Sequence, residues 1–145
     1  FIMGLVGKVV SGVLSDILGR KRVWILSLAL MLGGALMLLT LHKSLVMPAI
    51  ALFGFGWGGN YSLLQAISAD AFGSRSLGRV MGAVTVLDAG GGALGPWITS
   101  LLYDRYGSYS PGFGLICVLI TLSIALALLL GVRPPVVSAT VVPAV

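Results

Sequence analysis

Five apolar runs, at about 1–18, 23–41, 45–69, 78–102 and 112–132, take up most of this chain. A helix needs roughly 20 apolar residues to cross the ~30 Å hydrocarbon core of a bilayer. The breaks between the runs, at 19–22, 42–44, 70–77 and 103–111, each join charge to Gly, Ser or Pro, as helix ends do. The pattern predicts an all-α membrane protein with five transmembrane helices.

Composition excludes most other classes. Only 9% of residues are charged and the mean hydropathy is +1.10, whereas soluble domains are about 25% charged. The net charge of +5 does not indicate nucleic-acid binding, because its Lys and Arg stand singly or in one short run between apolar segments. Cys117 is the lone cysteine, so neither an intrachain disulfide nor a cysteine-rich metal site is expected. One His and four dispersed Asp form no catalytic constellation, and no enzyme activity, cofactor or metal is expected. The run G-F-G-W-G-G at 54–59 lies within an apolar segment and follows no strand, so it is not a dinucleotide loop.

Topology follows from the cations. Arg20, Lys21, Arg22, Arg75, Arg79 and Arg133 fall on one side, against Lys43 and Arg105 on the other. Short cytoplasmic loops retain Lys and Arg, which places the first group, and with it the C-terminus, in the cytoplasm; the plasma (inner) membrane is the expected location. Phe1 opens within an apolar run, without a basic leader or a cleavage pattern. The chain therefore reads as the C-terminal piece of a longer membrane protein. It divides into a partial bundle at 1–133 and a disordered tail at 134–145 containing Pro134, Pro135 and Pro143. L-S-D-I-L-G at 14–19 and L-Y-D-R-Y-G at 102–107 share the pattern L-x-D-x-x-G. They end helices three apart on opposite faces, as an inverted three-plus-three repeat would.

The turn G-V-L-S-D-I-L-G-R-K-R at 12–22 resembles the G-x-L-x-D-x-x-G-R-[KR]-[KR] loop of the major facilitator superfamily. F-G-F-G-W-G-G, F-G-S-R-S-L-G-R-V-M-G, G-G-A-L-G-P and L-Y-D-R-Y-G-S-Y resemble its tenth and eleventh helices, in the family's order and spacing. The resemblance implies helices eight to twelve of a C-terminal six-helix bundle, truncated here, with the N-terminal half of the transporter as its partner. The nearest subgroup is the monocarboxylate and oxalate–formate carriers, in which a basic residue commonly sits eight positions before the loop Asp. Lys8 holds that place here, where Arg is more usual. The implied function is alternating-access transport of a small organic anion, proton-coupled or by exchange. A drug or sugar carrier and a non-transporting membrane scaffold are the alternatives.

The candidate site residues follow. Lys8 lies about 12 Å along the helix from Asp16, inside the hydrocarbon layer. A charge there costs at least ~2.5 kcal/mol unless it is paired or faces water. With Gly4, Ser11 and Ser15 on the same helical face, it is the candidate for holding a substrate carboxylate; snorkelling or a structural ion pair is the plainer role. Asp88 sits at similar depth, either as the proton carrier, as the counter-ion of Lys8, or in a pair with a helix outside this chain. Trp57, Tyr61, Gln65 and Ser68 recur at helical spacing and suit a cavity wall, with Asn60 beside them, or a plain packing seam. The family resemblance implies that Asp70 pairs with Arg20 or Arg22, with Arg79 as a further partner, and that these charges and Asp16 form a cytoplasmic gate. Lys21 and His42 are read as surface and topological residues. Gly54, Gly56, Gly58 and Gly59, and later Gly90, Gly91, Gly92, Gly95 and Pro96, are read as close-packing and bending positions.

Overall fold

A computed structural model describes residues 1–73 and 76–129. The expected tail at 134–145 lies outside these residues, as do Arg75 and Arg133. The described chain is wholly helical: α1 (Ile2–Leu18), α2 (Arg20–Leu39), α3 (Lys43–Phe72), α4 (Leu77–Tyr106) and α5 (Ser110–Leu129). At 30 residues each, α3 and α4 are about 45 Å long, more than a bilayer core requires.

Two helices, α2 and α5, are long and apolar enough by themselves to cross a membrane. α1 has only 17 residues. The apolar content of α3 and α4 is diluted by glycine, amide and hydroxyl groups.

The first connection is shorter than the sequence suggests. Gly19 alone turns the chain, at φ +89°, a conformation glycine adopts without steric cost. Arg20, Lys21 and Arg22 therefore form the first turn of α2 instead of a loop. Cations at a helix N-terminus oppose the macrodipole. Here acceptors on two neighbouring helices compensate. Arg20 Nη1 donates to the Ala66 carbonyl of α3 at 2.8 Å, and Lys21 Nζ donates to the Leu128 carbonyl in the last turn of α5 at 3.0 Å. Lys21 thus ties two helices together, more than the topological role its sequence position suggests.

Helices α1, α2 and α3 meet along small residues. Gly7 faces the Phe55 backbone, and Gly58 faces the backbone of Gly4. Gly59 is met by the hydroxyls of Ser11 and Ser27, and Gly56 lies against Ser27 and Met31. Small residues let backbones approach where lipid supplies no hydrophobic drive for association. Ser11 and Ser15 are buried, and Lys8, on the same face of α1, is exposed at the edge of the seam. Leu28, Met31 and Ala35 of α2 also pack in one cluster with Cys117, Ile120 and Ala127 of α5. Helix α4 buries none of its residues. The outer surface is apolar almost throughout, with Ile17 74% and Leu129 83% exposed. A skin of this kind suits lipid rather than water.

Candidate functional site

Lys8 leaves α1 at the edge of the seam and lays its ammonium over the Tyr61 ring of α3, 5.2 Å from the centroid. One turn earlier on α3, Trp57 tilts against Tyr61, with ring centroids 6.2 Å apart. Gly4, Leu5, Lys8, Gly54 and Trp57 line a cleft of about 210 Å³ between the two helices. Glycine at positions 4 and 54 keeps its walls close to the backbone.

A cation–π contact contributes about 0.5–2 kcal/mol, more when desolvated. Among the described residues no carboxylate pairs with Lys8.

The other sequence candidates divide. Gln65 is exposed one turn beyond Tyr61, whereas Ser68 is buried. Asn60 turns away from the cleft, its Oδ1 accepting the Trp24 indole N–H at 2.6 Å. Asp88 is exposed on α4, and no ion pair joins it to Lys8 among the described residues. Thr85 and Thr99, on the same helix, return their hydroxyls to the carbonyls of Met81 and Gly95.

At the α1–α2 turn, Arg20 Nη1 lies 2.5 Å from Asp70 Oδ2. Asp70 stands in the last turn of α3, where a carboxylate opposes the helix dipole, so Arg20 relieves both groups. Asp16, Arg22 and Arg79 are exposed and form no ion pair among the described residues. The two partners are 33% and 18% exposed, which puts the pair between surface and buried cases. A double-mutant cycle with Arg20→Gln and Asp70→Asn should return a coupling of about 1 kcal/mol in thermal unfolding. Strictly additive losses would mean that Ala66 alone anchors the guanidinium. The Lys21–Leu128 tie is the feature sequence reasoning missed; only the position of a basic residue beside a helix start hinted at it.

An apolar-skinned helical bundle with an ammonium over an aromatic wall and an ion pair at one end suits a membrane transport protein. The chain belongs to the Major Facilitator Superfamily, whose family model matches residues 1–144. It is thus an integral membrane protein of a transporter family. It is similar to the inorganic phosphate transporter PHO84 of Saccharomyces cerevisiae, at 29% identity over 109 residues, covering 70% of this chain and 19% of that protein. The chain therefore spans about a fifth of the length of this curated relative. No solved structure matches it significantly.

Proposed function

We propose that this chain is part of a secondary transporter that moves a small organic anion of the monocarboxylate kind by alternating access. The observation that carries the reading is the Lys8 ammonium, held over Tyr61 and beside Trp57 with no carboxylate partner among the described residues. A small acid can place its carboxylate on the ammonium and its carbon chain against Trp57 and Leu5. In this reading all five helices cross the plasma (inner) membrane as helices eight to twelve, with the C-terminus cytoplasmic. An N-terminal half outside this chain closes the site, and transport proceeds by rocking one half against the other. The Arg20–Asp70 pair holds the cytoplasmic gate shut and breaks when the inner side opens. Asp16, Arg22 and Arg79 rearrange with it. Asp88 carries the coupled proton, if coupling is by protons rather than by exchange.

Inorganic phosphate is the second reading, supported by the name of the yeast relative. Phosphate recognition generally gathers several donors or cations. This cleft offers one ammonium among apolar walls, which favours an organic acid. Uptake of labelled lactate, formate, oxalate and phosphate by the full-length protein separates the two. Saturable uptake of an organic acid, competed by other acids and not by phosphate, is the expected result. Uptake of phosphate alone would replace the first reading with the second. Uptake of none would leave the other carriers of the family, and then the scaffold.

A further inference from the structure

We infer that Trp24 and Asn60 are positioning residues for the Lys8–Tyr61 contact that borders the cleft. The inference rests on the reading of that cleft as the anion site. The indole N–H of Trp24 donates to Asn60 Oδ1 at 2.6 Å, in a half-buried position between α2 and α3. The nearest contacts on either side of it, Gly56 with Ser27 and Met31 and Gly59 with Ser27, are non-directional packing. A directional bond between two side chains resists rotation of a helix. Asn60 and Tyr61 are consecutive, so about 100° of helix rotation separates them. Fixing Asn60 on α2 therefore aims Tyr61 toward α1, where it meets Lys8. The same side of α2 carries Arg20 one turn earlier, which grips α3 at Ala66 and Asp70. Helix α3 is thus held in azimuth at two heights: the lower grip opens with the gate, and the upper one sets the cleft.

The consequence is measurable as a split between KM and kcat. Trp24→Phe and Asn60→Leu, each in the full-length protein in its membrane, should raise the KM for labelled lactate (or for phosphate, if that is what the protein carries) about threefold to tenfold. That range corresponds to one interhelical hydrogen bond in a membrane. The kcat should stay within about twofold, and the double variant should be no worse than either single one. A merely structural tie would lower the amount of folded protein and leave KM unmoved, and that result would overturn the inference, as would additive effects. Lys8→Gln in the same assay tests the anion reading separately, since it removes the charge and spares the Trp24–Asn60 bond. A second measurement needs no substrate. In a Cys117→Ala background, cysteines replacing Lys8 and Tyr61 report the α1–α3 geometry through the rate at which a short bifunctional maleimide joins them. Adding Asn60→Leu should slow that reaction several-fold; an unchanged rate rejects the positioning role even if no anion is transported.

Discussion

Lys8→Gln should lower kcat/KM for anion uptake roughly ten- to hundredfold in folded, membrane-inserted protein. The magnitude follows from the bond being removed. A hydrogen bond to a charged group contributes about 1.5–3 kcal/mol, and each 1.4 kcal/mol is a factor of ten. The substitution should not harm folding, because Lys8 is exposed at the rim of the helix seam and its one aromatic contact is replaceable by packing. Lys8→Arg should keep a measurable part of the activity, since it keeps the charge and the attraction to the Tyr61 face but changes the geometry of donation. Unchanged uptake by Lys8→Gln would make Lys8 a structural charge and remove the main support for an anion substrate.

The second large effect is expected in the seam. Gly7→Ala and Gly58→Ala should each destabilise the bundle by about 3 kcal/mol, at the upper end of what overpacking costs. In both cases the added methyl meets backbone, of Phe55 and of Gly4 respectively, and backbone has no rotamer with which to step aside. The helices must separate, and the close contacts of the seam are lost together. Gly12→Ala is the control. It lies on the same helix with nothing near the added methyl, and helix propensity alone should make it neutral or stabilising by up to about 1 kcal/mol. Thermal unfolding in detergent, followed by loss of helical signal, compares the three. Equal stability of Gly7→Ala, Gly58→Ala and Gly12→Ala would show that α1 and α3 do not approach this closely in the native bundle.

The helices were legible because apolar periodicity and charged breaks report the same thing twice. Their ends were less so. A start for the second helix at 23 treats three consecutive cations as a loop. In the structure they begin α2, since one glycine at positive φ is enough to reverse the chain, and Asp70, the Ala66 carbonyl of α3 and the Leu128 carbonyl of α5 offset the charge. The fourth helix runs past 102 to Tyr106, where Gly107 at φ +65° closes it.

The site was legible by residue type and not by orientation. An ammonium at membrane depth is costly wherever it points, so Lys8 was conspicuous in the sequence alone. Trp57 and Tyr61 were conspicuous as an aromatic stripe. Helical spacing put Asn60 next to them and grouped Lys8 with Ser11 and Ser15. Which of these faced a neighbouring helix depended on how α1, α2 and α3 rotate against one another.

The sequence by itself determined that this protein is a set of helices for a membrane, what family pattern it carries and which charges are expensive. Those properties depend on each residue's own transfer cost and on short-range periodicity. Tertiary structure decided that Arg20, and not Arg22, holds Asp70. It also decided that Asn60 serves α2 while Tyr61 serves Lys8, and that Lys21 reaches the end of α5. Each of these turns on helix azimuth, about 100° per residue, which is set by how the packed helices meet and is not encoded in any one segment.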